Sequence, residues 1–289
     1  MTLQYCSDLH LEFPENWKFL QKKPLTPVGE ILVLAGDIMP FSARDSFGYF
    51  IDYLSSQFAA VYWTPGNHEY YGSDLTLRPS WLRVSPPGEK PSAGDKLSFS
   101  VNVFEAIREN VFLVNNREVL YKNTRLLFST LWSPITPQHE WDIRRSVSDY
   151  RAIRVDGRNL IPADTNAMHE ECRTFLATAL KPVEALPASM PSLPASPDSS
   201  LPKTIVITHH VPTFLHYPPQ YRKSTLTEAF AVELYGLIEN FGADYWIYGH
   251  HHVNVPAFRI GKTELLTNQL GYVRLHEQRK FRRDAVINL

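Results

Sequence analysis

The chain has 289 residues, 44% of them hydrophobic and 12% aromatic, which is enough for a large buried core and excludes global disorder. The formal net charge is −1 and no long basic run is present, so we do not expect a dedicated nucleic-acid-binding surface. The two cysteines, Cys6 and Cys172, are too few for a disulfide framework and favour a reducing compartment. Asp8 and Glu12 stand where a signal peptide would be apolar, and no apolar run is long enough to span a bilayer. We therefore expect a cytoplasmic protein with no membrane partner.

Five short apolar runs have the composition of buried β-strands, and each of them ends in a cluster of polar residues. Nearly continuous Val, Ile, Leu and aromatic residues are typical of strands that are buried on both faces. In chain order the runs and their polar ends are LQYCSDLH (3–10), ILVLAGD (31–37), AVYWTPGNHE (60–69), TIVITHH (204–210) and DYWIYGHHH (244–252).

Three segments between these runs carry apolar residues at helical spacing. The first is 42–58, with Ser42 as a candidate N-cap, the second is 165–180, and the third is 227–242, which ends at Gly242 in the usual C-cap position. Because strands alternate with helices, the sequence predicts an α/β sheet protein.

Hairpins and one low-complexity loop complete the predicted organisation. The segments 111–132 and 255–275 are typical of hairpins, and their predicted turns are Asn115–Asn116, Lys122–Asn123 and Gly261–Lys262. The segment from 181 to 203 is rich in Pro, Ser and Ala and has no periodicity, which favours an extended surface loop. Another strand with a polar end follows this loop, so we interpret it as an insertion within a single domain that spans 1–289.

The polar clusters are candidate ligands of metal ions. Open α/β sheets bind small molecules and ions beyond the carboxyl ends of their strands, and every cluster lies at such an end. The candidates are Asp8, His10, Asp37, Asn67, His68, His209, His250 and His252. Carboxylate, imidazole and amide donors without thiolate suit manganese, iron, zinc or cobalt rather than calcium or structural zinc. About seven ligands are too many for one ion but fit two divalent transition-metal ions that share a carboxylate, as in two-metal phosphoryl transfer.

The ordered blocks D-x-H, GD, GNH[E/D], H and GHxH resemble those of the calcineurin-like metallophosphoesterases. All five blocks occur here in order, from Asp8 to His252, and each follows a predicted strand. The resemblance implies a four-layer α/β/β/α sandwich of two mixed β-sheets flanked by helices, with a dinuclear metal centre.

The resemblance also implies a role for each matched residue. Asp8, His10 and His252 would bind the first ion, and Asp37 would bridge the two ions. Asn67, His209 and His250 would bind the second ion. His68 would act as general acid on the leaving group, while hydroxide activated by the two metals attacks phosphorus.

Several neighbouring residues are candidates for other roles. His251 lies between two ligands and is predicted not to bind metal, since alternate side chains of a near-extended chain point to opposite sides. Glu69 is expected to orient its loop rather than to perform chemistry. Candidate substrate contacts are His210, Tyr150 and Arg151; the last two lie in a segment that is similar to N-D-Y segments of some relatives, with Ser148 in place of the Asn.

The resemblance leaves several substrates open. The sequence GDIMPF lacks the D-R-G continuation of protein Ser/Thr phosphatases, and lipid A precursor hydrolases usually carry Arg at the position of His68. The expected function is therefore a phosphomonoesterase or phosphodiesterase that acts on a small phosphorylated or nucleotide substrate. A cyclic-nucleotide phosphodiesterase, a nuclease and a non-catalytic scaffold with this fold are the alternatives.

Overall fold

The structure is a computed structural model that describes residues 1–76, 102–181 and 202–289. The predicted Pro/Ser-rich insertion at 181–203 lies almost entirely outside the described residues. The single domain spanning 1–289 stays a prediction.

Two six-stranded sheets form the centre of the structure. The first sheet has the order β14-β1-β2-β3-β5-β4 and the second has the order β12-β13-β11-β10-β7-β6, while β8 and β9 form a separate short pair. In each sheet the four central strands are parallel and both edge strands are antiparallel to their neighbours. The strands are β1 (Thr2–Cys6), β2 (Ile31–Ala35), β3 (Ala60–Thr64), β4 (Val103–Arg108), β5 (Val111–Asn115), β6 (Arg117–Tyr121), β7 (Thr124–Ser129), β8 (Arg154–Val155), β9 (Arg158–Asn159), β10 (Lys203–Thr208), β11 (Tyr245–Tyr248), β12 (Phe258–Ile260), β13 (Thr263–Thr267) and β14 (Val286–Asn288).

Helices cover the outer faces of both sheets. Among them α2 packs on β3 and β5 of the first sheet, whereas α5 packs on β7 and α6 on β12 of the second. The described helices are α1 (Pro14–Lys22), α2 (Gly48–Gln57), α3 (Glu140–Ser146), α4 (Asp149–Ala152), α5 (Pro162–Leu180) and α6 (Tyr235–Phe241). Within the described ranges, no helix combines the length and the apolar character that crossing a membrane requires.

Alternate residues of the central strands pack into two different cores. In β2, Ile31 and Val33 lie in the core between the sheets, while Leu32 and Leu34 belong to the core that the outer helices cover. Because both faces are buried, the strands read as continuous apolar runs. The predicted four-layer α/β/β/α architecture is confirmed.

Two of the three predicted turns are confirmed. Tyr121 pairs with Thr124 and Ile260 with Thr263, so the chain turns at Lys122–Asn123 and at Gly261–Lys262. The hairpin at Asn115–Asn116 is wrong, because β5 and β6 belong to different sheets. Both Asn side chains are buried and accept hydrogen bonds at the end of β7. Thr130 N donates to Asn115 Oδ1 at 2.7 Å, and Ser129 Oγ donates to Asn116 Oδ1 at 2.7 Å. These bonds direct the chain across the sandwich instead of back along the same sheet.

The helix predictions differ in their outcome. The segment 165–180 lies within α5 as expected. Ser42 is not an N-cap, because a 3₁₀ turn occupies Phe41–Phe47 and α2 begins at Gly48. Only Tyr235–Phe241 of the segment 227–242 is α-helical. The residues before it pair with Val211, whose N–H donates to Phe230 O at 3.2 Å and whose carbonyl accepts from Val232 N at 3.0 Å. This pairing replaces the helical hydrogen bonds that the periodicity predicted.

Candidate metal centre

The polar clusters converge at one edge of the sandwich, where loops from both sheets are tied together by backbone hydrogen bonds. Asp8 N donates to Gly36 O at 2.9 Å, and His10 N donates to Asp37 O at 3.0 Å. In the second sheet Gly249 N donates to His209 O at 2.9 Å. Across the two sheets, His250 N donates to Asp8 Oδ1 at 3.0 Å, so the sequence blocks that follow β1, β2, β10 and β11 form a single surface.

Five of the predicted metal ligands adopt a left-handed backbone conformation that non-glycine residues rarely occupy. Their φ angles are 55° for Asp8, 47° for His10, 56° for Asp37, 77° for His250 and 54° for His252. Such strain persists only where surrounding structure enforces it, and it is concentrated at functional sites.

One group of potential ligand atoms comes from Asp8, His10, Asp37 and His252, whose donor atoms all lie within 4.8 Å of one another. The Nε2 atoms of His10 and His252 are 2.9 Å apart, and His252 Nε2 is 3.4 Å from Asp8 Oδ1. His252 follows a strand of the second sheet, whereas the other three residues follow strands of the first sheet.

A second group of donor atoms comes from Asp37, His209 and His250, again within 4.8 Å of one another. His209 Nε2 lies 3.0 Å from His250 Nδ1 and 3.1 Å from Asn67 Oδ1, so the amide oxygen joins this group. Asp37 Oδ2 lies 3.3 Å from His209 Nε2 and 3.7 Å from His10 Nε2. Asp37 is thus the carboxylate that the two groups share.

The hydrogen bonds around the four imidazoles fit metal binding. In each ring the nitrogen that points away from the group faces an oxygen acceptor, which places the proton there and leaves a lone pair on the inner nitrogen. The outer contacts are His10 Nδ1 to Glu12 Oε1 at 3.1 Å, His252 Nδ1 to Glu277 Oε2 at 2.8 Å, His209 Nδ1 to Ala35 O at 3.0 Å and His250 Nε2 to Ala229 O at 3.3 Å. Inner lone pairs that face each other at hydrogen-bond distance require a cation. Ligands about 2.1 Å from one ion lie about 3 Å apart at a right angle, which matches this spacing.

The electrostatics of the metal-free groups lead to the same conclusion. Burial lowers the pKa of His252, but the Asp8 and Glu277 carboxylates outweigh burial and raise it to about 10. Burial likewise opposes the charged form of His209, yet Asp37 raises its pKa to about 9. The buried carboxylates therefore stabilise positive charge at this site, either as protons on the imidazoles or as bound metal ions.

His68 lies beside both groups. Its backbone N–H donates to Asp37 Oδ1 at 2.8 Å, and its ring stacks on Tyr71 with centroids 4.0 Å apart. Its Nδ1 lies 2.9 Å from Glu12 Oε1, while Nε2 lies 3.4 Å from the Tyr272 hydroxyl. Burial lowers the pKa of His68, but the carboxylates of Asp37 and Glu12 outweigh it and raise the pKa above the usual value. His10, Glu12 and His68 also cluster closely enough for a metal, but both rings face one carboxylate oxygen in hydrogen-bond geometry.

Glu69 organises the loops that carry the ligands. This buried carboxylate accepts hydrogen bonds from Asp37 N at 2.9 Å, Ile38 N at 2.6 Å and Gly66 N at 2.6 Å. It also accepts a bond from Trp63 Nε1 at 3.1 Å. The position of Glu69 therefore agrees with its expected role in orienting the loop.

A cavity of about 580 Å³ opens onto the two groups. Its size is in the range typical of sites for small molecules. Aromatic side chains flank both groups: Phe230 stacks on His250 with centroids 4.8 Å apart, and Tyr272 packs on His252 at 4.4 Å. The other aromatic lining residues are Phe13, Tyr71, Tyr217 and Tyr221.

The three predicted substrate contacts lie outside the lining that the described residues provide. His210 is buried behind His250, with ring centroids 4.1 Å apart, and burial lowers its pKa to about 3. The Tyr150 hydroxyl lies 3.2 Å from Thr165 Oγ1, and Arg151 Nη1 donates to Arg145 O at 2.5 Å. His210 Nδ1 faces Thr130 O at 3.1 Å, and none of the partners Thr130, Thr165 and Arg145 lines the cavity.

Asp149, from the same segment, lines the cavity and contacts a predicted ligand directly. Its buried Oδ1 accepts hydrogen bonds from Asn67 Nδ2 at 2.8 Å and from the Tyr71 hydroxyl at 2.7 Å. The first bond fixes the amide so that Asn67 Oδ1 points at His209 Nε2. Burial raises the pKa of Asp149.

Sequence reasoning also missed Glu12, Glu277 and Tyr272. Glu12 carried a signal, because it stands two residues after His10 in the first block. His251 lines the cavity, and its Nδ1 lies 2.9 Å from Gln269 Nε2, away from both ligand groups.

Two mixed sheets with paired histidine and carboxylate groups at a shared edge define the class of metal-binding α/β/β/α hydrolases. A family model described as calcineurin-like phosphoesterase matches residues 1–254, and the chain belongs to that family. An uncharacterized protein of Acanthamoeba polyphaga mimivirus is 29% identical over 309 residues, covering 99% of this chain and 96% of that protein. The phosphopantetheinyl hydrolase of Mycobacterium tuberculosis shares the fold, with a TM-score of 0.61, 17% identity, and 96% of this chain and 92% of that chain covered. Family membership supports a phosphoesterase that uses divalent metal ions.

Proposed function

We propose that the protein hydrolyses small phosphoesters with two divalent metal ions, of manganese, iron or zinc. The observation that carries this proposal is Asp37, whose Oδ2 lies between the two imidazole groups at 3.3 Å from His209 and 3.7 Å from His10. Asp8, His10 and His252 would hold one ion, and Asn67, His209 and His250 the other. When bound, the ions lower the pKa of a water molecule and neutralise charge on the phosphoryl oxygens.

His68 is the general acid of this proposal. Glu12 faces its Nδ1 and holds one proton there, so in the imidazolium form Nε2 carries the second proton towards the cavity and can deliver it to the leaving-group oxygen. The Asp37 and Glu12 carboxylates raise the pKa of His68, which favours the protonated ring that this step needs. Stacking on Tyr71 fixes the plane of the ring.

The cavity favours a substrate with a planar or apolar group attached to the phosphate. Aromatic side chains lie beside both groups of metal-binding atoms. Aromatic rings stack on planar groups of many kinds, because every such group has a π-face. A phosphodiester would occupy both walls and a monoester only one, so a nucleotide-sized diester is the second candidate beside a monoester. A cytoplasmic location and the lack of a nucleic-acid-binding surface stay predictions.

The test combines metal analysis with hydrolysis assays. We expect the purified protein to carry transition metal by elemental analysis and to hydrolyse p-nitrophenyl phosphate or its bis ester. Asp37→Ala removes the shared ligand, so we expect it to lose metal and activity together. A metal-free protein that stays inert after addition of manganese, iron or zinc would identify a non-catalytic scaffold and contradict the proposal.

A further inference from the structure

A segment beyond the family match, Gly271–Lys280, folds back onto the metal-binding loops. Gly271 N donates to Asp8 O at 3.1 Å, directly behind a predicted ligand. The buried side chain of Asn16 anchors the segment twice, because its Nδ2 donates to Gly271 O at 2.8 Å and its Oδ1 accepts from Val273 N at 3.0 Å. The family model ends at residue 254, so this wall of the cavity lies outside the matched motifs.

Glu277 closes the segment into a compact loop. Its Oε2 accepts from Tyr272 N at 2.6 Å and faces His252 Nδ1 at 2.8 Å. Residues between Tyr272 and Glu277 are thereby held at a fixed position relative to the first ligand group.

Arg274 occupies this loop at the mouth of the cavity. Its guanidinium carbon lies 5.3 Å from the Phe13 ring centroid and 5.6 Å from that of Tyr272, and the two rings pack edge to face at 5.2 Å. Cation–π contacts of this kind hold a guanidinium in place and leave its N–H edge free.

No carboxylate of the described residues lies within ion-pair distance of Arg274, although it lines the cavity. Two of the exposed arginines nearby in the chain form ion pairs, Arg259 with Glu264 at 3.0 Å and Arg282 with Asp284 at 3.4 Å. A positioned but unpaired guanidinium offers the two-pronged donor that phosphate and carboxylate groups accept.

We propose that Arg274, on its platform of Phe13 and Tyr272, binds a second anionic group of the substrate, separate from the phosphate that reacts. The Tyr272 ring packs against His10, His252 and Arg274 alike, so this subsite begins one ring's width beyond the metal-binding atoms. The Tyr272 hydroxyl lies 3.4 Å from His68 Nε2, which places the subsite on the leaving-group side. This inference rests on the proposed hydrolysis, and it defines the substrate as a phosphoester whose leaving group carries a further phosphate or carboxylate.

The experiment compares substrates that differ by one phosphate. The pair is adenosine 5′-monophosphate and adenosine 3′,5′-bisphosphate if the wild type hydrolyses monoesters, or the dinucleotide ApA and its 5′-phosphorylated form if it hydrolyses diesters. We expect the kcat/KM of the wild type to be at least about tenfold higher for the member that carries the additional phosphate, since a hydrogen bond to a charged group contributes that much. Arg274→Gln should abolish the preference by slowing only that member, and Arg274→Lys should keep part of it. Arg259→Gln, which removes an exposed paired arginine, is the control and should leave both rates unchanged.

An equal fall in kcat/KM for both substrates of the pair in Arg274→Gln would overturn the inference, because Arg274 would then contact the reacting phosphate or stabilise the fold. The absence of any preference in the wild type would overturn it as well. Calorimetric titration of the chelator-treated protein with the adenosine pair gives a readout that does not need catalysis. Tighter binding of the bisphosphate by the wild type but not by Arg274→Gln supports the subsite even if neither compound is hydrolysed, an outcome that would contradict only the proposed function. Equal affinities in wild type and variant would overturn the subsite itself.

Discussion

The two halves of the metal centre resemble each other in their ligands but differ in what stands behind the ligands. In the first half, carboxylates of Glu12 and Glu277 face the outer nitrogens of His10 and His252. In the second half, the backbone carbonyls of Ala35 and Ala229 face the outer nitrogens of His209 and His250. One half is supported by side chains that carry charge, and the other by the fold of the backbone.

This difference has consequences for the strength of each half. An imidazole hydrogen-bonded to a carboxylate is a stronger electron donor than one bonded to a carbonyl, so we expect the first ion to be held more tightly. In the first half, a single side-chain substitution behind the ligands can weaken metal binding. In the second half, the backbone carbonyls cannot be substituted, and Asp149, which holds Asn67, is the position that offers such a change.

The largest effect is expected from Gly66→Ala, which should break both halves at once. A Cβ at this position would lie 2.2 Å from Asp37 Oδ1 and 2.7 Å from His209 Cε1, so the shared carboxylate must move. We expect loss of both ions by elemental analysis, and a fall in the free energy of unfolding of about 1–3 kcal/mol from overpacking.

Gly236→Ala provides the matched control for this change. Nothing lies within 4 Å of a Cβ at Gly236, which is inside α6, so the free energy of unfolding should stay the same or rise by about 0.5–1 kcal/mol. Normal metal content in Gly66→Ala would show that the two halves are not packed against each other as described.

His68→Ala tests whether the residue beside the first half binds metal or transfers a proton. We expect both ions to remain, because the ring nitrogens face Glu12 and the Tyr272 hydroxyl, and the ring only packs edge to face against His10. The rate on esters with poor leaving groups should fall about 10²–10⁴-fold, whereas the rate on p-nitrophenyl esters should fall much less. A uniform fall across leaving groups together with loss of metal would mean that His68 is a ligand.

Glu277→Gln should affect the first half alone. Removing the charge behind His252 is expected to weaken binding of the first ion about 10–100-fold, and calorimetric titration of the chelator-treated protein with manganese measures it. Binding of the second ion should be unchanged, as should both affinities in the control Glu264→Gln on β13. If both ions bind more weakly in Glu277→Gln, the two halves are not independent and the comparison fails.

The convergence of the candidate ligands was predictable because it depends on a general property of sheets. Side chains that follow the carboxyl ends of parallel strands meet at one edge, so blocks as distant as those of Asp8 and His252 could be placed together from sequence. The short distances among Asp8, His10, Asp37 and His252 agree with that reasoning.

Other features depend on tertiary packing that leaves no local pattern. Glu277 reaches His252 only because Asn16, on a helix at the other end of the chain, holds the segment before it. Asn115–Asn116 has the composition of a turn, yet buried bonds to Thr130 and Ser129 send the chain to the other sheet. In both cases long-range hydrogen bonds override what neighbouring residues favour.

The candidate ligands come from both sheets, so an ion bound in either group would join the two layers. His10 and His252 lie 242 positions apart along the chain and follow strands of different sheets, so an ion that bound both would link the two sheets. Because such a site does not exist in the unfolded chain, the free energy of metal binding would stabilise the folded state, and no oxidising environment is needed. For this protein, a shortage of metal would therefore weaken the fold as well as the activity.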